Sequence, residues 1–248
     1  MRIPILMYHQ IDTPPERGQP LRGLIVSASA FARQMQLLRM LGYKGLSMRD
    51  LEPYLRGEVV GKVVGITFDD GYQNNLVNAL PVLANHGFTA TCYAVSQLTG
   101  GHNTWDQGRV EQKQLMSAQE LRTWSNTGMD LGSHTRNHLD LTKVNPKVAQ
   151  EEIAHSKEEL EQVVGAEVRH FCYPYGRYNE FTVALVKQAN YQTATTTTRG
   201  KAIPKVNDFE LPRVMIARAT NPIQFLLKVA TSYEDNRRID ELSKVNKA

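Results

Sequence analysis

Short apolar runs alternate along this chain with longer segments in which apolar residues recur every three or four positions. Runs rich in β-branched and aromatic residues are typical of buried strands, and the longer periodic segments are typical of amphipathic helices. We predict seven or eight strands, with candidates at residues 3–8, 43–46, 62–68, 88–95, 129–134, 168–173, 191–196 and 211–216. This alternation favours βα units around a parallel sheet or barrel.

The segments between the strands carry helix signals. Ser117 and Glu120 have the spacing of a capping box, and Asn145 with Pro146 predicts the start of a long helix. Residues 97–114 form a long polar connection, which we interpret as a candidate lid or substrate loop. The charged tail after about residue 232 is predicted to be a final helix or a frayed end.

Length and charge limit the classes of protein to consider. A chain of 248 residues can bury one large α/β core, and we predict a single domain over residues 1–248. The net charge of +4 comes from 29 basic and 25 acidic residues that are well mixed along the chain. This pattern argues against a nucleic-acid partner.

The sequence also bears on membrane and redox context. No apolar stretch approaches the roughly 20 residues of a membrane span, and the first residues lack a small-residue cleavage site. We therefore expect a soluble, cytoplasmic protein, and nothing in the sequence indicates its oligomeric state. Cys92 and Cys172 both lie in apolar strand-like runs, where small buried hydrophobic residues are more typical than a disulfide.

Metal-type ligands follow several of the predicted strands. In a parallel βα array the carboxyl ends of the strands share one rim, where functional groups gather. The residues at these positions are His9, Asp69, Asp70, His134 and His138, followed by the segment "PYG" at Pro174, Tyr175 and Gly176.

Asp69 and Asp70 place two like charges side by side. Adjacent strand residues point to opposite faces, so we expect the two carboxylates to have different roles. One carboxylate with His134 and His138 would leave open positions on a divalent ion, and the other could act as a general base. A cation there would also keep both carboxylates ionised.

Simpler interpretations of the same residues stay open at this point. Asp70 before Gly71 could cap a helix while Asp69 faces solvent. The pair in "HTRNH" could be two surface histidines, although a spacing of four places both imidazoles on one side of a helical or an extended backbone.

Three motifs together carry a family resemblance. "TFDDGY", "SHTRNH" and "RHFCYPYG", in this order, resemble the first three motifs of the polysaccharide deacetylases, also called carbohydrate esterase family 4 or the NodB homology domain. The resemblance implies an α/β fold, a distorted (β/α) barrel of seven to eight strands. It also implies metal-dependent removal of acetyl groups from an N-acetylated glycan, usually with Zn²⁺ and alternatively with Ni²⁺, Co²⁺ or another divalent metal.

The resemblance assigns roles to the matching positions. Asp69 corresponds to the catalytic base, and the Asp-His-His metal site corresponds to Asp70, His134 and His138. Pro174, Tyr175 and Gly176 match a segment that lines the substrate groove, where the backbone N–H of the tyrosine helps to hold the oxyanion.

The chain departs from the family pattern at two points. Many members have a base-orienting arginine where this chain has Cys172, and we expect Arg213 in "LPRVMI" to approach the base from another strand. The late Leu-x-His motif that supplies the general acid is absent. The branch that resembles poly-N-acetylglucosamine deacetylases has Tyr-His near the chain start instead, and "LMYHQI" makes His9 the candidate acid.

Two other function classes remain alternatives. Two histidines and one carboxylate could hold Fe²⁺ in an oxygenase, although that site usually lies on a double-stranded sheet fold. The missing arginine and late histidine also allow a metal-containing carbohydrate-binding protein that has lost catalysis.

Overall fold

The computed structural model describes residues 2–245, and in the last helix the side chains up to residue 240. All eight predicted strands are present, and two strands of two residues that were not predicted lie after the first. The strands are β1 (Ile5–Tyr8), β2 (Gln10–Ile11), β3 (Ile25–Val26), β4 (Lys44–Leu46), β5 (Val63–Phe68), β6 (Thr91–Ala94), β7 (Asp130–Ser133), β8 (His170–Cys172), β9 (Thr193–Arg199) and β10 (Leu211–Met215).

Seven of these strands close into a parallel ring. The ring runs from β1 through β5, β6, β7, β8, β9 and β10 and returns to β1, which pairs with both β5 and β10. Strand β4 pairs only with the first half of β5 and lies outside the ring. The predicted distorted (β/α) barrel is therefore confirmed, with seven strands in the closed ring.

Helices cover the outside of the ring. They are α1 (Ala28–Met40), α2 (Met48–Leu55), α3 (Leu80–His86), α4 (Ala118–Asn126), α5 (Pro146–Val164), α6 (Glu180–Gln188), α7 (Pro222–Ala230) and α8 (Tyr233–Val245). The capping box of Ser117 and Glu120 begins α4 as predicted, and Asn145 caps α5. The charged tail forms a helix over Tyr233–Val245, and its last three positions lie outside the described residues.

Apolar packing between the ring and the helices fixes the strand ends. Phe31, Phe68, Trp124 and Phe171 are fully buried in the main cluster. Ile5, Tyr93 and Cys172 belong to a second cluster. Cys92 and Cys172 are both free and buried, as the apolar sequence context predicts.

Two segments lie near the carboxyl ends of the strands. The first, residues 12–24, connects the paired strands β2 and β3. The second is the predicted long connection, which contains 3₁₀ turns at Ser96–Leu98 and Thr104–Asp106 and is tied to the turn after β5 by a bridge between Tyr72 and Leu115. Within residues 2–245, no helix is both long and apolar enough to cross a membrane.

Candidate active site and metal centre

The strand order brings the predicted residues to one rim. His9 follows β1 and Asp69 follows β5, and the last residues of these strands, Tyr8 and Phe68, are direct partners in the register. The Asp69 N–H donates to the Tyr8 carbonyl at 3.0 Å. His134 follows β7 and Pro174 lies just beyond β8, so the neighbouring strands deliver the remaining residues to the same end of the barrel.

A turn at Asp70 and Gly71 determines where the carboxylates of Asp69 and Asp70 lie. Asp70 has a left-handed backbone, with φ of 76°, and Gly71 follows with φ of 77°. The expectation that strand alternation separates the carboxylates is wrong, because β5 ends at Phe68 and the turn re-aims Asp70. The alternative with a solvent-facing carboxylate is also wrong, since Asp69 is 2% exposed and Asp70 is 5% exposed.

Asp70, His134 and His138 converge on one point. The Asp70 Oδ1 atom lies 3.4 Å from His134 Nε2 and 3.3 Å from His138 Nε2. Ligand atoms of a tetrahedral site with bonds of about 2.0–2.1 Å are about 3.3–3.4 Å apart, so both distances fit two bonds to one ion. All three side chains are buried, as expected for atoms that share a cation.

The second nitrogen of His134 supports this geometry. His134 Nδ1 lies 2.7 Å from the Cys172 carbonyl, which can only accept, so Nδ1 carries a proton and Nε2 is the ring atom that faces Asp70. His138 Nδ1 is buried and has no hydrogen-bond partner among the described residues. Two ring nitrogens thus face one carboxylate oxygen, an arrangement that a divalent cation satisfies.

His138 reaches the site from a backbone that the sequence did not predict. Its φ is 59°, so it is neither helical nor extended, and its N–H donates to Thr135 Oγ1 at 3.0 Å. Trp105 stacks on the His138 ring with centroids 4.3 Å apart, and Tyr175 meets the same ring edge-on at 4.7 Å. The long connection therefore contributes a residue that packs directly on a candidate ligand.

Arg213 holds the carboxylate of Asp69. Its Nη1 and Nη2 atoms each donate to one Asp69 oxygen at 2.7 Å, and its Nε donates to the Thr196 carbonyl at 2.8 Å. The predicted contact between Arg213 of β10 and Asp69 is therefore present. Cys172 Sγ lies 3.2 Å from Nη2 of the same guanidinium, so the thiol occupies the space beside the arginine.

This ion pair sets the charge state of Asp69. Burial works to raise the pKa of Asp69, but the charge and hydrogen bonds of Arg213 outweigh it, with further contributions from His9 and His134, and the pKa is lowered. Burial also works to raise the pKa of Asp70, and hydrogen bonds from His134 and His138 bring it well below the usual range. Both carboxylates are therefore ionised at neutral pH.

His9 lies beside Asp69 and is fixed through its backbone. Its Nε2 atom is 4.0 Å from Asp69 Oδ2, and its side chain is 17% exposed. Asn75, fully buried in a π-helical turn at Asn75–Ala79, donates to the His9 carbonyl at 2.8 Å and accepts from the Ile11 N–H. Sequence reasoning missed Asn75, although the amide run "QNN" directly after the aspartate motif was a possible signal.

The segment Pro174–Gly176 forms a tight turn against β9. Tyr175 has φ of 58° and is 46% exposed. Gly176 has φ of 68°, and a Cβ atom there would lie 2.0 Å from Thr197 Oγ1, so only glycine fits. No backbone carbonyl within residues 2–245 accepts from the Tyr175 N–H.

A cavity of about 480 Å³ opens beside these residues. His9 and Asp70 line it, together with residues of the 12–24 segment and of the long connection. This volume is within the range of small-molecule sites in proteins.

A second set of potential ligands overlaps the first. Asp69, His134 and Cys172 also place ligand atoms within 4.8 Å of one another. Arg213 already donates to both oxygens of Asp69 and to the sulfur, whereas Asp70 has no arginine partner among the described residues. We therefore favour Asp70, His134 and His138 as the metal ligands.

Comparisons with known proteins agree with this fold. A family model described as polysaccharide deacetylase matches residues 56–194, more than half of the chain. The chain belongs to the polysaccharide deacetylase family.

Three similar proteins span most of this chain. YxkH of Bacillus subtilis, a protein assigned to the polysaccharide deacetylases, is 31% identical over 218 residues, which cover 87% of this chain and 72% of YxkH. The poly-beta-1,6-N-acetyl-D-glucosamine N-deacetylase of Staphylococcus epidermidis is 24% identical over 229 residues, covering 89% and 77% of the two chains. The structure of the deacetylase PplD of Streptococcus pyogenes, in complex with acetate, superposes with a TM-score of 0.81 at 28% identity and covers 92% of this chain and 98% of its own.

Proposed function

We propose that this chain is a metal-dependent N-deacetylase that hydrolyses the acetamide of N-acetylhexosamine units in a polysaccharide or oligosaccharide. The observation that carries the proposal is one carboxylate oxygen facing two imidazole nitrogens, next to a second carboxylate fixed by an arginine. Family membership supports the same reaction class. The N-acetylglucosamine polymer named for the staphylococcal relative suggests the first substrates to test.

Asp70, His134 and His138 would hold the metal ion. Two imidazoles and one carboxylate suit Zn²⁺, and also Ni²⁺ or Co²⁺. When bound, the ion would supply Lewis-acid activation of the acetamide carbonyl and of the attacking water.

Asp69 is proposed to be the general base. Arg213 keeps its carboxylate ionised and oriented through two hydrogen bonds. Each carboxylate oxygen has a second lone pair, so Asp69 can still accept the proton of the attacking water. Arg213 is a positioning residue, because it acts through Asp69.

Tyr175 and His9 are proposed to complete the reaction. The Tyr175 N–H would donate to the carbonyl oxygen as negative charge develops there, and such a donor is worth about 3 kcal/mol in other enzymes. His9 would then donate a proton to the nitrogen as the carbon–nitrogen bond breaks. The water oxygen stays on the acetyl carbon, so the products are acetate and a free amine. Asn75 would position His9 by holding its backbone.

Acetate release is the direct test. We expect release from β-1,6-linked N-acetylglucosamine oligomers in the presence of Zn²⁺, its loss with a chelator and its return when metal is restored. Asp69→Asn should lower the rate by at least about 10³-fold and still bind metal, because general base catalysis contributes about 10²–10⁴-fold and the orienting pair is also lost. Asp208→Asn, a matched change beside the cavity lined by Glu52 and Thr193, should behave like the wild type.

The same assay separates the alternative functions. Metal and oligomer binding without acetate release, across a panel of N-acetylated oligomers and lipid-linked sugars, would contradict the proposal and favour a binding protein. Turnover that requires O₂ and a co-substrate would favour the oxygenase. The deacetylase should release acetate equally well in O₂-free buffer.

A further inference from the structure

A second cavity of about 490 Å³ lies next to the active-site cavity and is lined by arginines. Arg22, Arg33 and Arg218 line this arginine cavity, and no acidic residue is among its lining residues. Pro14 lines both cavities, so they adjoin at the segment that connects β2 and β3.

The three arginines form no ion pair with the acidic side chains that the structure describes. No carboxylate among the described side chains lies within 4.0 Å of Arg22, Arg33 or Arg218. Other arginines of the chain do pair in this way, as Arg136 does with Glu159 at 2.8 Å and Arg177 with Asp140 at 2.6 Å. The repulsion within the arginine cavity is therefore not relieved by the protein's own carboxylates.

Two helix N-termini add positive potential to the same cavity. The caps Ser27 of α1 and Asn221 of α7 both line it, and these helices have 13 and nine residues. Neither helix has an acidic residue in its first turn, where such residues are usually favourable. The helix dipoles and the guanidinium groups therefore both favour an anion in the arginine cavity.

The arginine positions are held by backbone contacts. The Arg22 Nε donates to the Pro15 carbonyl, and the Arg218 N–H donates to the Gly23 carbonyl at 2.9 Å. The two chain segments that carry Arg22 and Arg218 are therefore joined directly. Desolvation, followed by the charges of Arg218 and Arg17, lowers the pKa of Arg22, which agrees with close approach of these cations.

We propose that Arg22, Arg33 and Arg218 bind a phosphoryl group carried by the glycan substrate, next to the sugar whose acetamide enters the active site. Three guanidinium forks offer more donors than the two oxygens of a carboxylate can accept, and they match the oxygens of a phosphoryl group. Because Pro14 lines both cavities, a glycan in the active-site cavity could place its own phosphoryl group in the arginine cavity. This inference rests on the proposed deacetylase function, and it narrows the substrate class to a phosphorylated N-acetylated glycan.

Direct binding tests the site without any reaction. We would titrate the full chain with N-acetylglucosamine 1-phosphate, N-acetylglucosamine and inorganic phosphate, first with a chelator and then with Zn²⁺. With the chelator present, phosphoryl binding cannot come from the metal centre. The sugar phosphate should bind about tenfold more tightly than the neutral sugar, and more weakly as salt rises from about 50 to 300 mM.

Arginine variants locate the binding. Each of Arg22→Gln, Arg33→Gln and Arg218→Gln should weaken sugar phosphate binding by about twofold, and the triple variant should abolish the tenfold preference over the neutral sugar. Arg39→Gln is the matched control, because Arg39 lies at the opposite end of α1 from Ser27. Equal affinity in the wild type and in a folded triple variant, or the same loss in Arg39→Gln, would overturn the proposal.

Two further arms distinguish the sources of the phosphoryl group. Vesicles of phosphatidylglycerol should not bind better to the wild type than to the triple variant, and arginine-dependent vesicle binding without sugar phosphate binding would overturn the glycan assignment. In acetate release, the triple variant should raise KM more for phosphorylated than for neutral oligomers. If no oligomer is deacetylated, the proposed function fails, while the chelator-treated titration still decides the phosphoryl site.

Discussion

Two buried acid and histidine clusters lie at opposite ends of this barrel. The upper cluster is Asp70, His134 and His138, beyond the carboxyl ends of the strands. The lower cluster is Glu52 of α2 with Asp130 and His170, the first residues of β7 and β8. Both clusters combine carboxylates with histidine, but of the two only the upper cluster brings three ligand atoms within 4.8 Å of one another.

The lower cluster is held by other protein groups. His170 Nε2 lies 3.4 Å from Glu52 Oε1 and 3.8 Å from Asp130 Oδ2, while its Nδ1 is 2.9 Å from Thr193 Oγ1. Thr91 donates to Asp130, and Arg56 and Arg169 both donate to Glu52. These partners satisfy most of the polar atoms of the lower cluster without a metal ion.

The difference lies in how each cluster manages charge. In the lower cluster, burial lowers the pKa of His170 to about 3 and raises the pKa of Asp130 to about 6, so both groups are pushed towards neutrality. In the upper cluster Asp70 stays ionised, because hydrogen bonds from His134 and His138 outweigh the effect of burial on its pKa. A histidine beside a buried acid is therefore a candidate ligand site only where turns and loops bring the ring nitrogens and the carboxylate oxygen to one point.

Loss of a metal ligand should give the largest effect. We expect Asp70→Asn to fold, because asparagine tolerates the left-handed backbone at this position, but to lose tight Zn²⁺ binding and at least about 10³-fold in acetate release. Asp130→Asn, the matched change in the lower cluster, should keep both Zn²⁺ binding and acetate release. Metal content and initial rates of acetate release measure the difference. Equal loss of metal and activity in the two variants would show that the upper cluster is not the metal site that distinguishes it from the lower cluster.

Removal of Arg213 should cost stability as well as activity. Arg213→Gln leaves Asp69 buried without its cation, so we expect about 3–5 kcal/mol less free energy of unfolding at neutral pH. The lowered pKa of Asp69 means that the ion pair stabilises the fold at neutral pH and is lost as pH falls through that pKa, so the deficit should shrink in acid. Urea unfolding at several pH values measures it.

The activity of Arg213→Gln provides a second measurement. Burial would then dominate and raise the pKa of Asp69, so the acid limb of kcat/KM should move to higher pH. An unshifted limb would contradict the assignment of Asp69 as the base oriented by Arg213.

His170 should make stability sensitive to acid without affecting catalysis. Its pKa of about 3 in the folded state lies below the ordinary 6.5, so the unfolded state binds the proton first and stability falls as pH drops below about 6.5. Between about pH 7 and pH 4.5, His170→Gln should therefore gain about 2 kcal/mol relative to the wild type. Parallel stability curves for the two proteins would exclude a neutral, buried His170.

The loop over the upper cluster should have the smallest effect. Trp105→Ala removes the ring that stacks on His138, and we expect Zn²⁺ to bind about tenfold more weakly, as for other groups that orient metal ligands. Trp105→Phe keeps an aromatic face and should bind metal nearly as the wild type does. Chelator competition measures both, and unchanged affinity in the alanine variant would make the stacking incidental.

The sequence by itself determined the element order and which residues are candidates for the site. Short runs of apolar, β-branched and aromatic residues located all eight strands that form or join the ring. Ligand-type residues directly after strand ends identified His9, Asp69, Asp70 and His134, because strand direction alone sends these positions to one rim.

Only the tertiary structure decided how these residues meet. Barrel closure places β1 between β5 and β10, which brings Arg213 to Asp69 across 144 positions of sequence. The left-handed turns at Asp70, His138 and Tyr175, and the Asn75 contact with the His9 backbone, depend on packing between distant segments. Local sequence patterns cannot predict such contacts. A positive φ in a residue other than glycine is strained, and it is stable only when packing against distant segments compensates for the strain.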